Sequence, residues 1–230
     1  MVAALASEAR ALGPSLPRGG GAIPLSELAL LGGGSLLAVS GIGSAAAEAA
    51  ARALVEAGVS ALVTFGMAGG LDPALKPGSV VLPRELISPA GRRYAACQSW
   101  RERVAASISP LHAVTEGNLL TSAYAIDTPA EKAAAFHRTG AAAVDMESAA
   151  VAEVAAQHNL PFIAARVIVD TAADRLPRAV VAASRAGRVQ FGRLLAGLVM
   201  APGEIAGLVR LAQRYRIAMR SLRTIGAHLA

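Results

Sequence analysis

Val144-Asp145-Met146-Glu147 closes one apolar run, and Arg166-Val167-Ile168-Val169-Asp170 closes the next. Between them Ser148 to Gln157 is built mainly of Ala and Val with Glu153 and Gln157, which reads as a small-residue helix able to lie close on a sheet. His158-Asn159-Leu160-Pro161 ends it. Phe162 to Val169 is then a short, nearly continuous apolar strand, the kind buried on both faces of a largely parallel sheet. Ligands of such sheets gather beyond the carboxyl ends of the strands, so Glu147 and Asp170 are expected to meet at one rim.

Working outward, strands are predicted at Val2–Leu5, Leu36–Ser40, Ala61–Phe65, Ser79–Leu82, Asn118–Thr121 and Ala141–Val144, with helices at Ala47–Ala57 and Pro129–Thr139. Strands alternating with helices argue for a three-layer α/β fold. Residues 13–34, with Pro14, Pro17 and two glycine triplets, read as loops and a hairpin, and residues 84–112 as a surface excursion.

Two glycine-rich segments follow strands. Gly41-Ile42-Gly43-Ser44-Ala45-Ala46 matches the dinucleotide fingerprint G-x-G-x-x-[GA], yet the next strand ends in Gly66 where that reading wants an acid for the ribose. Gly66-Met67-Ala68-Gly69-Gly70-Leu71 reads as a second glycine loop, either a close backbone approach to a ligand or only a tight turn. Glu8, just after the first strand, reads either as a solvated helix-start carboxylate or as a third acid at the rim. His112, His137, His158 and His228 have no metal-ligand spacing, and no G-x-S-x-G nucleophile motif occurs.

At 230 residues, one α/β domain with a single core is expected, without metal or organic cofactor. A lone Cys97 suits a reducing compartment, and the start of the chain, with Glu8 in its first ten residues, does not read as a signal peptide, so a cytoplasmic location is expected. The net charge of +6 is uneven: from Arg175 onward there are ten arginines against one acid, Glu204.

Taken together, Ser40-Gly-Ile-Gly43, Gly66-x-Ala-Gly-Gly-Leu71, Val144-Asp-Met-Glu147 and Arg166-x-Ile-x-Asp170 resemble the purine and uridine phosphorylase superfamily, most closely its methylthioadenosine/S-adenosylhomocysteine nucleosidase branch, over residues 2 to 190. The resemblance implies a three-layer α/β/α fold with a mixed central sheet, a homo-oligomer, and cleavage of a nucleoside N-glycosidic bond through an oxocarbenium-like transition state. By position, Asp170 resembles the acid at the leaving purine, Glu8 the residue that activates water, Glu147 the carboxylate on the ribose hydroxyls and Met146 the thioether against the sugar. Gly43, Met67, Ala68, Gly69, Ala125, Ile126, Val144 and Asp145 are implied substrate neighbours. Inorganic phosphate stands as a possible co-substrate. The chain departs from the pattern at Met67, where a hydroxyl is usual, at Thr64, where hexameric phosphorylases carry a phosphate-binding Arg, at Ala125, where an aromatic stacks the base, and at Val169, where Ser is usual.

The C-terminal stretch, residues 191–230, is expected to be a basic amphipathic helical extension, separate from a nucleoside-binding domain over residues 1–190. Ile205, Leu208, Ala212, Tyr215, Met219 and Leu222 follow helical spacing, and arginines fill the other faces. Such a helix suits either an anionic membrane surface or docking on protein; without interleaved aromatics it does not suit nucleic acid. The Arg-rich end and Val169-Asp-Thr-Ala-Ala-Asp-Arg-Leu-Pro177 resemble the hopanoid-associated phosphorylases, which implies adenosylhopane, an adenine nucleoside with a triterpenoid on its 5′ carbon, as substrate.

Overall fold

The computed structural model describes residues 1–13, 28–185 and 205–229. The predicted turns around Pro14 to Gly21, the stretch Phe191–Met200 and the 190/191 boundary lie outside the described residues.

The strands form one mixed sheet. β1 (Val2–Ala3), β2 (Ala29–Leu30), β3 (Leu36–Val39), β4 (Leu62–Gly70), β5 (Val80–Val81), β6 (Glu85–Ile87), β7 (Arg93–Ala95), β8 (Val114–Thr115), β9 (Asn118–Thr121), β10 (Ala141–Asp145) and β11 (Phe162–Asp170) run mainly in the order β2-β3-β1-β4-β10-β9-β6-β7. β11 lies parallel to β4 and leads through β5 to β8. β1 is parallel to β4 at Thr64 and Phe65, whereas β10 is antiparallel to it at Gly69 and Gly70. The ends of β1, β10 and β11 therefore converge along the second half of β4.

Alternation along the strands sorts side chains to two faces, as period-2 geometry requires. Phe162, Ala164 and Ile168 join Val2 and Leu62 beneath α2 (Ser44–Glu56) and α5 (Ser148–Gln157), whose Ala47, Ala50, Ala51, Val151, Ala152 and Ala155 bring the helices close to the sheet. Ile163, Ala165 and Val167 face the other way with Ala3, Val39 and Phe65, toward α1 (Ala6–Ala9) and α3 (Gln98–Ile108). This is the three-layer α/β/α arrangement. α4 (Pro129–Thr139) starts cleanly because Thr128 Oγ1 accepts the Glu131 N–H, with Pro129 in the first turn. α6 spans Arg178–Arg185 and α7 spans Ile205–Gly226.

Three local expectations are corrected. Gly66–Gly70 is not a loop but the second half of β4: Gly66 to Gly69 pair with β11 on one side, while β10 closes in on the other at Gly69 and Gly70, which have no Cβ atoms. Residues 84–112 are not a surface excursion: Leu86 and Ile87 in β6, and Val104 and Ile108 in α3, are buried. On α7 the buried stripe is Ala218, Leu222 and Ile225, continued by Leu229; of the expected line Leu222 is buried and Met219 packs in part against the core, while Ala212 is exposed. The stripe shares one apolar cluster with Met1, Leu12 and Leu37, and the helix packs chiefly on β11, so α7 uses its apolar face on the protein core. The helix thereby brings Leu211, Arg214 and Tyr215 to the rim.

Candidate active site

Glu8 is buried where β1 gives way to α1, only 3% exposed. Its Oε2 accepts the Leu5 N–H at 3.0 Å and its Oε1 the Met67 N–H at 2.8 Å, so it is turned inward against β4. Burial raises the carboxyl above its ordinary range, while the Arg166 charge and the backbone N–H groups oppose that shift.

Arg166 is the charge at the centre of this rim and was legible only as part of a motif. It is 1% exposed. Its Nε donates to Asp145 Oδ2 at 2.9 Å, and its Nη2 donates to Thr64 Oγ1 at 2.6 Å and Ser148 Oγ at 2.8 Å. Asp145 also accepts from Thr121 Oγ1 at 2.7 Å and from the Ser148 N–H. Both Asp145 oxygens are thus occupied by protein, and although Asp145 borders the cavity, what it holds is Arg166. Thr64, the position of an absent phosphate-binding arginine, instead accepts a hydrogen bond from this one.

Glu147 follows β10, and its Oε1 accepts the Gly43 N–H at 2.8 Å. Gly43 caps α2 with φ of 102°, a conformation that suits glycine, which aims its amide across the rim. The carboxylate of Glu147 therefore occupies the amide that a dinucleotide reading would reserve for a phosphate. Ser44 Oγ donates to the Met146 carbonyl at 2.9 Å and fixes the same corner. Burial, and then the Asp145 charge, push Glu147 up to about 7, against Arg166 and the Gly43 N–H.

At the end of β11, Asp170 is 4% exposed. Lys132 of α4, itself 1% exposed, donates to Asp170 Oδ2, to the Thr171 carbonyl at 2.8 Å and to the Asp174 carbonyl at 3.1 Å. Burial raises the Asp170 carboxyl and Lys132 opposes this. Asp174 in turn accepts from the Thr171 N–H at 2.8 Å and pairs with Arg214 of α7. Lys132, Asp174 and Arg214 escaped the sequence reading because their pairing joins segments far apart in the chain.

These groups border one cavity of about 280 Å³. Glu8, Asp145, Glu147 and Asp170 supply its carboxylates; Met67, Ala68 and Gly69 come from β4, Ala125 and Ile126 from the loop after β9, and Val144 and Met146 from the end of β10. Of the expected residues, Gly43 alone is not a wall; it acts on the cavity through Glu147. Val169, Leu176, Val180, Leu211 and Tyr215 complete a lining that is mainly apolar. Tyr124, beside Ala125, also lines the cavity but is 69% exposed. Among the described residues no Lys, Arg or His lines the cavity, and no group of three or more His, Cys, Asp or Glu could hold a metal ion.

The sequence pattern of the Phosphorylase superfamily matches residues 2–199. The chain belongs to this superfamily. Among solved structures, the superfamily fold seen here is shared with the 5′-methylthioadenosine/S-adenosyl homocysteine nucleosidase of Helicobacter pylori, at 18% identity and a TM-score of 0.68, covering 97% of this chain and 95% of that one. Futalosine hydrolase of the same organism matches at 16% identity and a TM-score of 0.70, covering 97% and 94%. At 97% coverage the matches extend into α7.

Proposed function

We propose that this superfamily member cleaves the N-glycosidic bond of an adenine nucleoside carrying a large apolar 5′ substituent, with adenosylhopane the leading candidate. The observation that carries the reading is the convergence of Glu8, Glu147 and Asp170, with the Arg166-bound Asp145, on one cavity whose remaining wall is mainly apolar. In this reading the C1′–N9 bond breaks with its electron pair leaving on the base, Asp170 in its protonated form donates that proton to N7, and a nucleophile on the Glu8 side forms the new C1′–O bond while losing its own proton to the Glu8 carboxylate. General acid assistance of this kind contributes about 10²- to 10⁴-fold. Glu147 holds the ribose hydroxyls, with the Met146 thioether against the sugar. Val169, Val180 and Leu211 then offer the 5′ substituent a surface that a polar group would not favour.

A phosphate dianion entering a cavity lined by carboxylates would find no cation among the described residues of its walls, and the Arg166 guanidinium behind it is matched by Asp145. This favours water as the nucleophile.

The test is free adenine released by purified protein from adenosylhopane and from methylthioadenosine, each with and without phosphate. Release from the lipidic nucleoside without phosphate is expected. Release from methylthioadenosine alone would replace the lipidic substrate by a small one, strict phosphate dependence would overturn the water reading, and binding without release would overturn catalysis.

A further inference from the structure

A second concavity, of about 380 Å³, lies beside the first between α1 and α7 and shares Tyr215 with it. Its rim carries Arg10, Arg216, Arg220 and Arg223, all exposed, with Ser7 and Met219 between them. None of the four arginines has an acidic partner among the described residues, and α7 contains no acid at all.

We infer that this groove docks the protein on an anionic phospholipid surface, with the arginines on lipid phosphates and the cavity mouth beside them. Three features favour that occupant. At a helical rise of about 1.5 Å per residue, Arg216 to Arg223 spans about 10 Å, wider than a single phosphate ion and suited to several headgroups. Val209, seven residues before Arg216 and so on the same helix face, is 51% exposed, an apolar residue in line with the charges as on interfacial helices. The groove offers only Tyr215 as an aromatic, so bases of a nucleic acid would have little to stack on. Because the apolar stripe of α7 is committed to the core, attachment through this face is electrostatic. The groove's purpose, though not its chemistry, rests on the reading of the substrate as lipid-bearing.

The test is sedimentation of the full chain with vesicles of phosphatidylcholine alone and with about a third phosphatidylglycerol, at low and at 1 M salt. Wild type should bind only the anionic vesicles and be released by salt. The variant R216Q/R220Q/R223Q should bind on the order of 100-fold more weakly, about fivefold per arginine removed, while releasing adenine from a soluble nucleoside as wild type does. Equal binding by wild type and variant, or no binding to anionic vesicles at low salt, overturns the proposal. So does displacement by millimolar inorganic phosphate, which would mark a free-phosphate site, or tighter binding to single-stranded oligonucleotide than to vesicles. If vesicle binding follows the arginines but no nucleoside releases adenine, the docking surface stands and the catalytic reading fails.

Discussion

Lys132 and Asp170 form an ion pair closed to solvent, and the same ammonium ties down the Thr171 and Asp174 carbonyls. The pair therefore does two things at once: it aims Asp170 at the cavity and fixes the turn that Arg214 reaches from α7.

Removing one partner leaves an uncompensated buried charge, which costs about 3–5 kcal/mol. Lys132→Met is expected to lower the melting temperature by on the order of 10 °C. Asp170→Asn should also destabilise, while the double variant should be less unstable than the sum of the two single losses. Additive losses in a thermal double-mutant cycle would show that the pair is not coupled.

The pH dependence follows from Glu147 and Asp174. Glu147 has its carboxyl raised from 4.5 to about 7, so across that window the folded chain binds more protons than the unfolded one. Its contribution to stability is present at low pH and is lost as pH rises toward 7. Asp174 behaves oppositely: burial works against its charge, but hydrogen bonds from Arg214 and Thr171 hold it at about 2, so its contribution is lost as pH falls below about 4. If ionised Glu147 is needed on the ribose, kcat/KM should rise with a midpoint near 7, and Glu147→Gln should lose activity together with that limb. A carbon-13 titration of Glu147 with a midpoint near 4.5 would contradict this.

Gly66 separates two charged groups. A Cβ there would lie 2.5 Å from Arg166 Nη1 and 2.8 Å from Glu8 Oε1, so one of them must move. Gly66→Ala is expected to cost about 1–3 kcal/mol and to lower turnover by about 100-fold through displacement of the carboxylate. At Gly13 nothing among the described residues lies within 4 Å, so Gly13→Ala serves as the control and should change stability by less than about 0.5 kcal/mol. Equal behaviour of the two variants in turnover and urea denaturation would refute the geometry.

The docking of α7 is tested at Leu222, which is fully buried. Leu222→Ala is expected to cost about 2–5 kcal/mol in urea unfolding, with one cooperative transition. A cost below about 0.5 kcal/mol would mean that the helix is not part of the core.

Much of the scaffold was legible because alternating apolar runs and Ala-rich stretches carry periods of 2 and 3.6 that need no distant partner. The strand ends after Ala3, Asp145 and Asp170 also put Glu8, Glu147 and Asp170 within reach of one rim. Other features depend on what approaches from elsewhere. Lys132, beside Glu131 on an Ala-rich helix, has the local pattern of a solvated charge, and only the turn after β11 encloses it. Gly66–Gly70 looks like a loop until β10 and β11 pair along it. The α7 stripe was misplaced because Ala212 and Ala218 are the same residue type, and only the core decides which one it covers.

Glu8, Glu147 and Asp170 are proposed to form a site for breaking an adenine N-glycosidic bond. The most direct measurement is the rate of free adenine release from adenosylhopane by wild type and by Asp170→Asn, each first shown to be folded by circular dichroism. Wild type should release adenine, and the variant should lose about 10²- to 10⁴-fold. Equal rates from two folded proteins, or no adenine from wild type with adenosylhopane or methylthioadenosine, with or without phosphate, would contradict it.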